Sequence, residues 1–176
     1  MSIVVIVLIV LLIIIAAILV IAALNRKDYN IECQIIINSN SQRVFDYIRH
    51  LKNQDNFNKW VMADPEMKRT YSGNDGTVGF IYGWNSAKQS GEGEQEIKKI
   101  APGKSIETEI RFVRPFPSVA KAVMMTETLP ENQTKVSWTN ASYVKYPMNI
   151  LLPMIKKMLA KDMDTSLGHL KQILEK

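Results

Sequence analysis

The chain has 176 residues, a formal net charge of +5, two histidines and a single cysteine. One cysteine excludes an internal disulfide framework, and two histidines as far apart as His50 and His169 exclude a structural zinc set, so no metal is expected. The charge is dispersed, with no basic stripe interleaved with aromatics; nucleic acid is therefore not an expected partner, whereas an anionic membrane face is compatible.

Residues 2–24 contain no charge, proline or glycine. A helix of that length crosses a hydrocarbon core of about 30 Å, and the segment is too apolar on every side to be enclosed by the rest of the chain. A cleaved signal peptide is the rival reading. Val20-Ile21-Ala22 would serve as a cleavage site, but no basic residue precedes the run, and it exceeds the usual apolar length of such signals. Arg26 and Lys27 follow directly, so the positive-inside rule places the remainder in the cytoplasm. The predicted organisation is a transmembrane helix at 1–24, a short linker at 25–28 and one domain at 29–176.

The domain opens with an Ile-rich stretch at 29–38 that predicts a strand. Asn38 to Ser41 supply turn and N-cap chemistry, and Val44, Phe45 and Ile48 mark the inner face of a helix. Residues 55–60 predict a second short helix, stopped by Asp64-Pro65. Strands are then expected at 67–72, 77–85, 91–100, 105–113, 119–129 and 134–146, separated by turns at hairpin spacing, which implies an antiparallel sheet. In the strand at 77–85, Val78, Phe80, Tyr82 and Trp84 share a face, and Gly79, Gly83, Gly91 and Gly93 mark places where the sheet can bend.

The final run, 153–175, carries Ile155, Leu159, Met163, Leu167, Leu170 and Leu174 at helical spacing, opposite Lys157, Lys161, Asp164, Lys171 and Glu175. It is about 34 Å long at 1.5 Å per residue, and so broad a stripe requires a sheet that curls around it. The run from Met148 to Leu152 just before it is a candidate lid or membrane-facing entrance.

Several short stretches occur together in a characteristic order. They are Trp60 with Asp64-Pro65-Glu66-Met67, Tyr71-Ser72-Gly73, Gly79 with Tyr82 and Trp84, and Gly91-Glu92-Gly93 with Ile97. Pro102 before Ile106, Phe112 with Pro115-Phe116, Thr134 to Trp138, and Leu167 with Leu170-Lys171 complete the series. In these features the chain resembles the polyketide cyclase/dehydrase-like proteins of the SRPBCC (START-like, Bet v 1-like) superfamily over residues 31–175. It departs at Gln133, at Ser166-Leu167 and at Asn85-Ser86-Ala87, where relatives often carry glycine. The resemblance implies an α+β helix-grip fold, in which a curved antiparallel sheet of about seven strands wraps a long C-terminal helix around an apolar cavity. It brings no shared catalytic motif and no cofactor.

If the aromatic faces point inward, Phe80, Tyr82, Trp84, Phe112, Val136 and Trp138 line that cavity, with Met154 and Met158 from the helix. Plain core packing is the alternative for each. Glu92, Glu94 and Glu96 alternate along one strand, but Lys98, Lys99 and Arg111 nearby suggest a solvated face. Tyr82 and Glu92 are the weak candidates for proton transfer. Three functions are compatible with this pattern: a membrane-anchored domain binding a hydrophobic or amphipathic small molecule such as a lipid, a cyclase/dehydratase-type enzyme on an apolar substrate, or an interaction module without a cavity. Cys33, in a strand-like run, reads as a small buried apolar residue.

Overall fold

The computed structural model of the chain describes residues 2–87 and 91–176. Helix α1 (Ile3–Leu24) is capped by Ser2, whose Oγ accepts from the Val5 amide at 3.4 Å, and it ends where Asn25 turns extended. Of its residues only Ala22 is buried. It is long and apolar enough to cross a membrane, with a mean hydropathy of 4.0 over its most apolar window.

Seven strands form one antiparallel sheet: β1 (Asp28–Ile37), β2 (Lys68–Ser72), β3 (Ile81–Asn85), β4 (Glu92–Ala101), β5 (Ser105–Arg114), β6 (Ser118–Leu129) and β7 (Gln133–Tyr143). Their spatial order is β1-β7-β6-β5-β4-β3-β2. Period-two alternation decides which residues face inward. Cys33 pairs with Trp138, Trp138 with Met124 and Met124 with Ile106, so one apolar row crosses four strands. The outer face is charged. There Arg111 is held by Glu94 at 2.7 Å, Glu96 at 2.8 Å and Glu109 at 2.5 Å. Such exposed pairs each contribute no more than about 1 kcal/mol.

The strand expected at 77–85 begins only at Ile81. Gly76 (φ +80°) and Gly79 (φ +87°) turn the chain before it, which leaves Val78 exposed rather than on the inner face. The helix expected at 55–60 is two single turns, α3 (Gln54–Phe57) and α4 (Lys59–Met62). Asn58 interrupts them. Its backbone is extended, its Oδ1 accepts from the Trp60 amide at 3.0 Å, and its Nδ2 donates to Gln54 Oε1 at 2.9 Å. A side chain that caps the next turn competes with continuation of the previous one. Ahead of both, α2 (Ser41–Ile48) buries Val44, Phe45 and Ile48.

The long helix α5 (Leu152–Leu174) starts with Pro153 in its first turn, where a missing N–H is harmless. Met163, Leu167, Leu170 and Leu174 are its buried stripe. The helix runs parallel to β1. At its C-terminal end Lys171 Nζ donates to the Ile36 carbonyl at 2.9 Å, and the Asn38 amide donates to Glu175 Oε1 at 2.7 Å. Midway, Cys33 Sγ donates to the Ala160 carbonyl at 3.5 Å. The N-terminal half of α5 therefore returns to the end of the sheet where β1 begins, beside α1.

Two contacts fix that end. The Val144 amide donates to the Lys27 carbonyl at 2.6 Å. A 3-10 turn, Met148–Leu151, carries Asn149, whose buried Nδ2 donates to the Ala22 carbonyl at 2.6 Å. The same Nδ2 lies 3.3 Å from the Asn25 and 3.4 Å from the Arg26 carbonyl. Carbonyls at a helix C-terminus lack intrahelical partners, and Asn149 supplies one.

Cys33 is buried against this framework. Burial, then the neighbouring Asp164, pushes its thiol up to about 12 from 9.0. The thiolate is the reactive form, so folded protein should resist iodoacetamide at pH 8, while urea-unfolded protein alkylates fully. Mass spectrometry after timed quenching measures this, and rapid native labelling would contradict it. The unfolded chain releases this proton near 9.0 and the folded one only near 12, so stability should fall as pH rises between those values.

Candidate functional site

The space between sheet and α5 has two unlike halves. The half under α2 and α3 is filled by the chain's own side chains, Phe45, Phe57, Phe80, Ile97 and Val136 among them. A void of ≈ 10 Å³ lies there, bounded by Gln54, Gln95, Thr108, Ala122, Met124 and Trp138. That is room for a single water by size. Its lining is partly polar: Gln95 Nε2 donates to Thr108 Oγ1 at 2.8 Å, and Thr108 Oγ1 donates to the Ala122 carbonyl at 3.3 Å.

The other half lies toward α1. Trp84 pairs with Gly93, Gly93 with Phe112 and Phe112 with Ser118, and on the next strands Ala120 pairs with Ser142 and Ser142 with Tyr29. These pairs make one inward-facing belt at the end of the sheet where β1 starts. Its large members, Trp84, Phe112, Ile110 and Tyr29, are only half-buried, as are Ile155 and Leu159 of α5. Its small members, Gly93 and Ala120, take up little of the interior. Trp84 and Phe112 meet edge to face with centroids 5.9 Å apart. The Trp84 ring lies directly over Gly93, where an added Cβ would stand 2.5 Å from Trp84 Cζ2. This belt is an apolar mouth at the α1 end of a filled interior.

The expected cavity residues divide accordingly. Phe80, Tyr82, Val136 and Trp138 are buried in the interior. Trp84 and Phe112 form the mouth. Met154 and Met158 do not line the interior: they are 63% and 54% exposed, on the side of α5 turned away from the sheet. Each precedes a stripe residue, Ile155 or Leu159, by one position, and one residue rotates a helix by about 100°. Glu92 is also outside. Gly93 takes the inward position, so Glu92 points to the outer face and pairs with Arg114 at 2.8 Å in solvent. It cannot transfer a proton to anything held between sheet and helix.

Tyr82 does face inward. Its hydroxyl donates to Asp55 Oδ1 at 2.6 Å and accepts from Arg69 Nε at 3.2 Å, while Arg69 Nε also lies 3.1 Å from Asp55 Oδ2. Burial, then the Asp55 carboxylate, raises the Tyr82 pKa above its ordinary 10.0, only partly opposed by Arg69. The phenol therefore stays protonated at physiological pH and can act as a hydrogen-bond donor, not a base. Tyr82→Phe removes two hydrogen bonds and leaves the Asp55–Arg69 pair intact, so chemical denaturation should show a loss of about 1–3 kcal/mol. A loss several times larger would mean the hydroxyl organises more than this triad. Asp55 carries no sequence signal that marks it as Tyr82's partner.

Two further features lie elsewhere. A broad open groove of ≈ 650 Å³ runs between α2 and the C-terminal end of α5, lined by polar residues such as Asn40, Arg43, Asp46 and Asn53. It is open to solvent and far from the apolar mouth. No group of His, Cys, Asp and Glu among the described residues is arranged to hold a metal.

No protein-family model and no curated protein matches the sequence. Solved structures do match in fold. A truncated norcoclaurine synthase from Thalictrum flavum superposes with a TM-score of 0.64 at 12% identity, covering 87% of this chain and 98% of that one. The same enzyme has also been solved with dopamine and hydroxybenzaldehyde bound. The Aha1 protein of Colwellia psychrerythraea, a dimer in solution, matches with a TM-score of 0.58 at 18% identity, over 84% of this chain and 96% of that one. A Chromobacterium violaceum protein matches with a TM-score of 0.60 at 14% identity, over 84% and 97%.

Proposed function

We propose, from the premise that the domain has the helix-grip fold of the SRPBCC (START-like, Bet v 1-like) superfamily, that it binds a hydrophobic or amphipathic small molecule beside a membrane. In this reading α1 anchors the chain in a bilayer and the ligand, a lipid being one option, enters the mouth between Trp84, Phe112 and the first half of α5. The observation that carries the reading is the position of that mouth. The half-buried apolar belt lies at the α1 end of the sheet, while the distal half is packed shut. Apolar surface left half-open at one end of a core is where a ligand gains most from burial, at about 25 cal/mol per Å². That a norcoclaurine synthase of the same fold holds two small aromatic molecules supports the class of ligand.

Entry has to widen the interior, where the void beside Trp138 is only ≈ 10 Å³. The first turns of α5 are less buried than its C-terminal stripe, so displacing them would break the fewest core contacts. Native mass spectrometry of full-length protein released from nanodiscs should detect co-purifying lipid or other apolar molecules. Their absence, with no thermal shift when delipidated protein meets fatty acids or isoprenoids, would sink the reading. The filled interior favours a second reading, an interaction module that needs no ligand, and that same negative result would support it. Turnover as a cyclase or dehydratase would have to use Tyr82 as a donor, and unchanged activity in Tyr82→Phe would remove that assignment.

Arg26 and Lys27 place the domain on the cytoplasmic side in this reading. Protease protection in sealed vesicles tests the orientation.

A further inference from the structure

We infer that the segment from Tyr146 to Lys161 is a second membrane contact, an amphipathic surface that lies on the bilayer and selects anionic headgroups. The inference rests on α1 spanning that bilayer. Its starting point is depth. Asn149 donates to the Ala22 carbonyl at 2.6 Å, so it stands level with the last turn of α1. At 1.5 Å per residue, the final apolar residue, Leu24, lies only about 3 Å farther along the axis. Asn149 is therefore held at the boundary between hydrocarbon and headgroups, not out in solution.

The residues around Asn149 suit that depth. Met148 is 48% and Leu151 37% exposed, and both are large and apolar. Leu151, Met154 and Met158 follow at i, i+3 and i+7, one continuous exposed stripe on the face of α5 turned away from the sheet. This stripe is separate from Met163, Leu167, Leu170 and Leu174, which serve the core. Lys157 and Lys161 border it on the helix and Lys145 lies just ahead of it, while Lys156, two positions from both Met154 and Met158, is on another face. Residues 145–161 contain these four lysines and no acidic residue, although the chain as a whole is close to balanced in charge. An apolar stripe edged by lysines, fixed at interfacial depth, fits a lipid surface with negative headgroups better than a protein partner. Methionine, flexible and polarisable, conforms to such a disordered surface.

The contact is tested on the full chain in nanodiscs, in a Cys33→Ala background. Spin labels are placed singly at Met148, Leu151, Met154 and Met158, at Val10 within α1, and at Met125, an exposed position on β6. Relative collision with oxygen and with a water-soluble nickel chelate reports immersion. The expected result is lipid-like accessibility at Val10 and at the four stripe positions, and aqueous accessibility at Met125. In bilayers containing phosphatidylglycerol the stripe labels should sit deeper than in phosphatidylcholine alone. Replacing Lys145, Lys157 and Lys161 with Gln should abolish that difference. Stripe labels as aqueous as Met125, with Val10 in lipid, would overturn the contact and leave the anchor standing. An aqueous Val10 would overturn the anchor itself. Equal depth in both lipids would remove the headgroup selectivity.

Discussion

Leu170→Ala should destabilise the domain by about 2–5 kcal/mol, whereas Met154→Ala and Met158→Ala should each stay within about 0.5 kcal/mol. All three substitutions shorten an apolar side chain on α5, so helix propensity does not separate them. Burial does. Leu170 is fully enclosed between the helix and the sheet, and its truncation leaves a cavity whose lining loses contacts on every side. The two methionines face outward and leave nothing behind. Urea unfolding of the detergent-solubilised chain, followed by tryptophan fluorescence, measures all three. Equal losses at Leu170 and Met158 would mean that the N-terminal half of α5 is gripped as tightly as the C-terminal half. The mouth described above would then not exist.

The second large effect is at Gly91, directly before β4. Gly91→Ala should cost about 2–5 kcal/mol, combining a left-handed backbone with a direct collision. Gly91 has φ +59°, and a Cβ there would overlap the Arg114 carbonyl on the neighbouring strand. Gly79→Ala is the internal control. Its φ is +87°, yet an added Cβ meets nothing within 4 Å, so only the backbone cost of about 1–2 kcal/mol remains. The difference between the two variants isolates the collision. Similar losses would show that the Arg114 strand end gives way easily, and that close approach at Gly91 costs little.

Much of this architecture was legible because it is written in period. The uncharged run at 2–24, the alternating strands and the i, i+4 stripe from Ile155 to Leu174 each state their own geometry. What was illegible depended on one-residue phase or on partners distant in sequence. Met154 and Met158 sit beside the stripe in sequence but about 100° from it in space, and composition alone made them look like cavity residues. Glu92 stands next to Gly93, and only the β4 register decides which of the two faces inward. The Tyr82–Asp55–Arg69 triad joins segments up to 27 residues apart, with nothing local to announce it. Asn149 left a faint trace, a lone amide in the apolar run from Met148 to Leu152. Its role as a clasp on α1 needed the coordinates of both.

That clasp has a consequence for traffic. Only Asn25, Arg26 and Lys27 separate α1 from β1, a reach of about 10 Å even if fully extended, and Asn149 and Val144 take up most of that slack. With α1 in a bilayer, the domain cannot swing across to an opposing membrane as a long-tethered shuttle would. Under the proposed function, a lipid drawn from that leaflet would reach the domain sideways, by diffusion within the plane of the membrane. Its meeting rate then depends on surface density rather than on bulk concentration.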